Sequence, residues 1–407
     1  MQTNSRKRSD NTSSGNGWRI GSLFGIPLLL DPLWFVILAL VTISFSLSYL
    51  QWGTTLAWSA GIVVALLLFG SVLLHELGHS LAARSQGINV NSITLFLFGG
   101  IAAIEEESKT PGQAFQVAVA GPAVSVSIFA LLSLVAYLLP TGSLVSVMIG
   151  DLAKINLVLA LFNLIPGLPL DGGQILKAAL WKATGNRFQA VRMAASAGQI
   201  LGWSAIALGF VIDLMTGELA TGLWIVLLGW FGIRNATAYK NITSLQEALL
   251  KLTVADAMNR NFRIVDANST IRQFADMYIL DDTPQVYFAA ADGRDRGIVS
   301  IDDLRVIERS QWEQPLQTIV RPLTEIPTIS ESTLLAAAIN QLEQQSQITV
   351  LSPTGSVAGL IDKGDILKTL VEKLQLRVPE AEIKRAKEEN TYPPGLRLEA
   401  IAKAATK

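Results

Sequence analysis

The chain has 407 residues, of which 16% are charged, and a mean hydropathy of +0.40, whereas soluble domains carry roughly 25% charged residues. This composition excludes a wholly soluble protein, and a net charge of −1 gives no sign of nucleic-acid binding. The absence of cysteine excludes disulfides and thiolate metal sites. Long apolar runs dominate residues 33–233, while residues 240–407 look like a soluble domain, so the sequence predicts a membrane protein with a soluble appendage.

The N-terminal part combines a polar tail, a short strand and the first of several apolar segments. Residues 1–17 are polar, and residues 21–32 have the Gly/Pro punctuation of a short strand. Six segments beyond them are long enough to cross about 30 Å of hydrocarbon as helices. These predicted spans are residues 33–50, 57–82, 113–139, 147–170, 195–215 and 219–236.

A cluster of ionisable residues ends the second predicted span. The sequence His75-Glu76-Leu77-Gly78-His79 follows an uncharged run and contains both histidines of the chain. On a helix, positions i and i+4 share one face, so two imidazoles can hold one zinc ion with Glu76 beside it as a general base. Ionisable groups within a membrane helix usually mark a functional site. We therefore expect a zinc-dependent hydrolytic centre, although a chance pair of histidines near a helix end is the alternative.

An apolar extended segment follows this motif. Residues 88–107 are rich in β-branched and aromatic side chains, with Gly99-Gly100 between two short runs. This pattern predicts a hairpin at the membrane face. Lipid does not tolerate free strand edges, so the hairpin must pack on protein or line a cavity.

The third zinc ligand must be a carboxylate, because no further histidine or cysteine exists. Asp171 is the main candidate, since it follows Pro166 and Pro169, which break the fourth span, and precedes Gly172-Gly173. The alternative ligands are Asp151 and the Glu105–Glu107 cluster. Asp171 could instead be the N-cap of the following helix.

The soluble part contains an internal duplication. Residues 252–307 and 316–372 each show an extended entry, an amphipathic helix, two strands joined by a turn, and a final helix. The segment from about 378 to 407 is charged and is predicted to be a mobile helix or disordered. The predicted domains are thus a tail at 1–17, a membrane domain at 18–238, the repeat pair at 252–372, and a charged tail at 378–407.

The distribution of basic residues predicts the orientation. The connections near 51–56, 140–146 and 213–218 contain no lysine or arginine, whereas segments 83–112 and 171–194 do. By the positive-inside rule both termini and the repeat pair are cytoplasmic. We expect a multi-pass protein of the plasma or inner membrane.

The two motifs, HELGH on a membrane helix and NLIPGLPLDGG at 163–173, resemble those of the site-2 protease family of intramembrane zinc metalloproteases. The resemblance spans roughly residues 18–236 and includes Ala120-Gly121-Pro122. It implies one Zn²⁺ held by His75, His79 and Asp171, with Glu76 as general base. It also implies a role for Asn163 near the substrate or the developing oxyanion, for which a helix–helix hydrogen bond is the alternative.

The duplication resembles a tandem pair of cystathionine-β-synthase (CBS) domains, and such pairs often bind adenosine nucleotides. The usual ending is Gly, two apolar residues, Ser or Thr, two others, then Asp. In the first half Gly297, Ser300 and Asp303 fit, and in the second half Gly359 and Asp365 fit. Asp362 occupies the hydroxyl position there, where an anion would repel phosphate. A purely structural or dimerising module is the alternative.

The expected fold is therefore a polytopic α-helical membrane domain with short strands, followed by a soluble α/β tandem CBS domain. The expected function is hydrolysis of a peptide bond within or near a transmembrane segment of single-pass membrane proteins, regulated by the CBS pair. The expected partners are the bilayer, an adenosine nucleotide and a second copy bound through the CBS domains, but no nucleic acid. The alternatives are a CBS-regulated transporter or channel and a relative that binds membrane proteins without cutting them.

Overall fold

The structure is a computed structural model that divides into two compact units, Met1–Lys240 and Asn241–Lys407. The described residues are 17–96, 99–104, 106–217, 219–278, 286–300, 304, 307–393, 395–396 and 398–406, with side chains described up to 403.

The first unit is built mainly from helices. They are α1 Trp34–Ser48, α2 Thr54–Ser85, α3 Pro111–Leu138, α4 Leu144–Asn163, α5 Asp171–Thr184, α6 Arg187–Thr216 and α7 Leu219–Lys251, the last of which continues into the second unit. All six predicted spans contain a helix. Within the described residues, five helices (α2, α3, α4, α6 and α7) are long and apolar enough to cross a membrane. The first predicted span is the exception, since α1 has 15 residues, or about 22 Å at 1.5 Å per residue.

The outer surfaces of these helices are apolar. Leu131, Leu138, Trp203, Leu214 and Leu223 each expose more than half of their surface. Water would strongly disfavour so much exposed apolar surface, and a lipid environment accommodates it. The architecture therefore agrees with a multi-pass membrane protein.

The fourth helix is shorter than predicted. The sequence suggested a span to residue 170, but α4 ends at Asn163 and α5 begins only at Asp171. Pro166 and Pro169 lack the N–H groups that would continue the helix. The intervening segment is non-helical backbone that lines a cavity described below.

A four-stranded sheet accompanies the helices. Its strands are β1 Trp18–Leu23, β2 Ile26–Leu30, β3 Val90–Phe96 and β4 Gly99–Ile104, in the order β1-β2-β3-β4. The predicted hairpin is therefore present as β3 and β4. The single strand predicted at 21–32 is instead a second hairpin, whose strand β2 pairs in parallel with β3.

The second unit repeats one α/β arrangement twice. Its strands are β5 Phe262–Asp266, β6 Val286–Ala291, β7 Arg294–Val299, β8 Arg321–Pro322, β9 Thr328–Ser330, β10 Gln347–Leu351 and β11 Val357–Asp362. Its helices are α8 Val254–Ala257, α9 Ile271–Tyr278, α10 Leu335–Gln341, α11 Lys363–Leu374, α12 Glu380–Glu388 and α13 Leu398–Thr406.

Each half has the predicted order of strand, amphipathic helix and antiparallel strand pair. In the first half β5 pairs in parallel with β6, and β6 in antiparallel with β7. In the second half β9, β10 and β11 are arranged in the same way. The sequence thus predicted the duplicated topology. The final helix predicted for the first half falls mostly outside the described residues.

The C-terminal segment is predicted to be a mobile helix or disordered, and the structure describes helices α12 and α13 there. Ala386, Leu398 and Ala402 are at most 1% exposed and belong to the core of the second half. Charged residues lie between these apolar ones in the sequence. The overall composition therefore suggested a mobile helix or disorder, although the apolar residues lie on buried helix faces.

Candidate metal centre and active site

Helix α2 carries the histidine pair at its buried face. His75 and His79 are 4% and 8% exposed, and their Nε2 atoms lie 3.3 Å apart. The helix continues without interruption through the motif, so the i, i+4 spacing places both rings on one face as predicted. The Nε2 atoms of both histidines, each able to bind a metal, therefore face the same point.

Asp171 completes a three-residue cluster. Its Oδ2 lies 3.1 Å from His75 Nε2, and its Oδ1 lies 3.3 Å from His79 Nε2. Helix α5 begins at Asp171 and shows no side-chain cap hydrogen bond, so the alternative that Asp171 acts as an N-cap is wrong. Gly172 and Gly173 allow this approach, because a Cβ at either position would overlap the backbone of residues 164–168.

The alternative carboxylates of the described residues do not belong to this three-residue cluster. Asp151 accepts a hydrogen bond from Tyr49 at 3.2 Å and pairs with Lys154 at 3.3 Å. Glu107 pairs with Arg187 at 2.9 Å and lies 3.8 Å from Lys177. Glu105 lies outside the described residues. His75, His79 and Asp171 are therefore the group that we expect to bind a metal.

The outer nitrogens of both imidazoles are occupied. His75 Nδ1 is hydrogen-bonded to Ser125 Oγ at 2.9 Å, and His79 Nδ1 donates to the Val117 carbonyl at 2.7 Å. Both partners belong to α3, and Ser125 is fully buried. With a proton on each Nδ1, each Nε2 keeps a lone pair for a metal.

The donor set fits a zinc ion. Potential ligand atoms of the three residues lie within 4.8 Å of one another. Two imidazole nitrogens and one carboxylate are typical of catalytic zinc sites, which leave a fourth position for water or substrate. Helix α3 leaves room at this point, since a Cβ at Gly121 would overlap His79 Nε2 and come within 2.7 Å of His75 Nε2.

A cavity of about 860 Å³ opens beside this cluster. Strand β4 passes directly over Glu76, because a Cβ at Gly100 would overlap Glu76 Cγ and lie 3.3 Å from Oε1. The residues that line the cavity include Glu76, Gly100, Ile101, Asn163, Asp171 and Tyr239. The predicted base, the predicted ligands and strand β4 therefore line one cavity.

Asn163 also lines this cavity, at the last residue of α4. Sequence analysis overlooked a second asparagine on the same helix, Asn156. Asn156 is fully buried, and its Nδ2 donates to Ser71 Oγ at 3.1 Å. Ser71 lies one turn before His75, so this hydrogen bond joins α4 to the helix that carries the motif. Its polarity within an apolar span was a usable signal.

The residues proposed to contact a nucleotide lie in the second unit. Ser300 follows β7 and is half-buried, and Asp303 lies outside the described residues. Asp365 lies in the first turn of α11, where it forms a reciprocal capping box with Asp362. Asp362 is 5% exposed, and its carboxylate caps the helix.

Comparisons with known proteins identify related chains. The model of peptidase family M50 matches residues 63–151 and 141–205. The Synechocystis sp. protein sll0528, named as a zinc metalloprotease, is 42% identical over 365 residues, covering 87% of this chain and 96% of that protein.

Two solved structures are also similar to the chain. A site-2 protease from Methanocaldococcus jannaschii is 29% identical and covers 55% of this chain and 95% of its own, with a TM-score of 0.40. A hemolysin-like protein containing a CBS domain, from Oenococcus oeni PSU, is 18% identical and covers 32% of this chain and 98% of its own, with a TM-score of 0.26.

We predict that Ser125→Ala weakens zinc binding. The substitution removes the partner of His75 Nδ1, and loss of such an outer hydrogen bond typically costs about 10–100-fold in metal affinity. Competition with a zinc chelator measures the change. The control is Ser127→Ala on the same helix, because Ser127 bonds only within α3, to the Ala123 carbonyl at 2.8 Å. Equal zinc affinity in both variants would contradict this role for Ser125.

We also predict that Gly121→Ala reduces bound zinc. The added methyl overlaps both Nε2 atoms, and overpacking of this kind costs about 1–3 kcal/mol, or roughly tenfold or more in affinity. Zinc per chain, measured by elemental analysis after dialysis, reports the effect. Gly112→Ala on α3 is the matched control, since its Cβ meets nothing within 4 Å. Full zinc occupancy in Gly121→Ala would show that the imidazoles do not face α3 in this way.

Proposed function

The chain belongs to the site-2 protease family, peptidase family M50, and is an intramembrane zinc metalloprotease, and from this premise we propose that it cleaves single-pass membrane proteins within or near their transmembrane segment. The observation that carries the proposal is the shared cavity, in which Glu76, the histidine pair and Asp171 lie beside an edge strand. Because the chain belongs to a family of proteases, it is not the CBS-regulated transporter or channel that the sequence left as an alternative.

The side chains of this cavity have separable roles in hydrolysis. His75, His79 and Asp171 would hold the zinc ion. When bound, the ion polarises the scissile carbonyl and lowers the pKa of its water ligand to about 7. Glu76 takes the proton of the attacking water as its oxygen bonds to the carbonyl carbon. Glu76 then gives that proton to the leaving nitrogen as the C–N bond breaks.

Asn163 and β4 would orient the substrate. The Asn163 amide can donate a hydrogen bond to the developing oxyanion or to the substrate backbone. A peptide bond in a helix is covered by its own hydrogen bonds, so the substrate must first unwind. Strand β4 is the last strand of its sheet, and its free edge can hold the unwound segment in an extended conformation.

The orientation and regulation belong to the same proposal. The basic residues of segments 83–112 and 171–194 favour cytoplasmic termini and a cytoplasmic repeat pair. We propose that the pair senses an adenosine nucleotide, with Ser300 among its contacts, and that it links two copies of the chain.

We predict that Glu76→Gln abolishes cleavage but keeps zinc. Glutamine cannot take up a proton, and loss of a general base typically costs about 10²–10⁴-fold in rate. The assay uses purified protein and a single-span substrate, with and without a zinc chelator. Asp151→Asn is the control, because Asp151 bonds to Tyr49 and Lys154 instead of the histidines. Cleavage by Glu76→Gln at the wild-type rate would refute the assignment of Glu76 as general base. Cleavage by neither protein would favour the alternative of a relative that binds membrane proteins without cutting them.

We predict that Ile101→Cys cross-links to alternate residues of the substrate. Ile101 lies on β4, is 56% exposed and lines the cavity, and successive side chains of a paired strand alternate in direction. The chain has no native cysteine, so disulfide trapping against substrates with single cysteines has no background. The Glu76→Gln background prevents cleavage during trapping.

A cysteine at Leu134, on the exposed surface of α3, is the control and should trap nothing. Cross-links at every third or fourth substrate position would indicate a helical substrate and would argue against strand addition.

A further inference from the structure

The C-terminal strap, which we define as helices α12 and α13, packs on the second half of the repeat pair. Ala386, Leu398 and Ala402 of the strap are buried in the same core as Leu367 and Leu370 of α11. This burial holds the strap against the part of the sequence that departs from the nucleotide-binding pattern, at Asp362.

The ammonium of Lys387 lies over two carboxylates at the start of α11. Lys387 Nζ is 3.4 Å from Asp362 Oδ2 and 4.0 Å from Asp365 Oδ1. The remaining oxygens bind the backbone, since Asp362 Oδ1 accepts from Asp365 N at 2.8 Å and Asp365 Oδ2 accepts from Asp362 N at 3.3 Å. Burial and the charge of Asp362 raise the pKa of Asp365 to about 6, which agrees with a desolvated anionic site.

A second ion pair holds the strap, in which the cation belongs to α11 and the anion to the strap. Lys363 lies between Asp362 and Asp365 in the chain, and its side chain is 6% exposed. Its Nζ lies 3.0 Å from Glu399 Oε1 and 5.2 Å from the centre of the Tyr392 ring. Acidic and basic groups of the strap therefore each meet the opposite charge on α11.

Gly364 permits the close approach of α12. A Cβ at this position would lie 2.8 Å from Lys387 Cβ and 3.3 Å from the Ile383 carbonyl. Alanine would favour the helix more than glycine does. The glycine at position 364 therefore lowers the helix propensity of α11 but allows α12 to pack closely against it.

We propose that the C-terminal strap is the built-in ligand of the second half, whose Asp362–Asp365 pair takes the ammonium of Lys387 and takes no phosphate. A phosphate group at this position would have to displace a cation and sit beside two carboxylates. This inference rests on the proposed nucleotide sensing in one respect, because it assigns any nucleotide binding to the first half of the repeat pair.

The test measures how often the strap opens in the full chain. A single cysteine replaces Ala386, which is 1% exposed, and its labelling by a maleimide is followed in the purified protein. Labelling should be slow compared with a cysteine at the exposed Thr354. Lys387→Glu should accelerate it about tenfold, because it puts a third anion at the site.

The matched control is Lys384→Glu on the same helix. Among the residues that the structure describes, Lys384 pairs within α12, with Glu388 at 3.6 Å, and its side chain is 76% exposed, so labelling should not change. A cysteine at Ile361, which is fully buried outside the strap, detects unfolding of the whole unit. If Lys387→Glu exposes that cysteine too, the milder Lys387→Gln replaces it and decides the question in the same way.

The second arm adds millimolar ATP or AMP to the Ala386→Cys protein. We expect the labelling rate to stay within about twofold. Faster labelling with either nucleotide would show that a phosphate ligand competes with the strap, and would overturn the proposal. If the cysteine of Ala386→Cys is labelled without nucleotide as fast as the cysteine of Thr354→Cys, the strap is not held in place, and the proposal is overturned as well. Neither readout depends on proteolysis, so failure here is distinct from failure of the proposed cleavage.

Discussion

The placement of three ionisable groups at one point, among helices that face lipid, constrains the rest of the membrane unit. A buried imidazole pair and a carboxylate are costly unless they bind each other or a cation. The two histidines come from one helix, but Asp171 is almost a hundred residues away and must arrive on non-helical backbone. The break at Pro166 and Pro169, the small residues beside it and the late start of α5 all serve this one approach.

Helix α3 is the supporting element of the centre. It supplies the hydrogen-bond partners of both Nδ1 atoms, from Ser125 and Val117, and it presents Gly121 where any larger residue would collide with the Nε2 atoms of both histidines. Pro122 follows directly and has no N–H to donate, so the helical hydrogen bonding is interrupted beside these groups. Orientation of the ligands thus depends on residues that never touch a metal themselves.

The sequence alone predicted the motif chemistry and the apolar spans, because both depend on local spacing. Histidines at i and i+4 must share a helix face, and a long uncharged run has few other uses. It did not predict the parallel pairing of β2 with β3, the hydrogen bond of Ser125 or the burial of Leu398. Each of these joins residues far apart in the chain, and single-sequence patterns carry no information on such pairings. The proposed ligand Asp171 lay between these cases, since the prolines marked a cavity but left Asp151 and the Glu105–Glu107 cluster as alternatives.

Two segments of non-helical backbone in the membrane unit line the cavity. The turn between α4 and α5 lines the cavity, and so does β4, whose inner edge pairs with β3. Lipid could not satisfy the N–H and C=O groups of either segment. A substrate helix that unwinds faces the same requirement, since its freed backbone groups also need partners. In the proposed function the outer edge of β4 would supply such partners beside Glu76, where the peptide bond would then be hydrolysed.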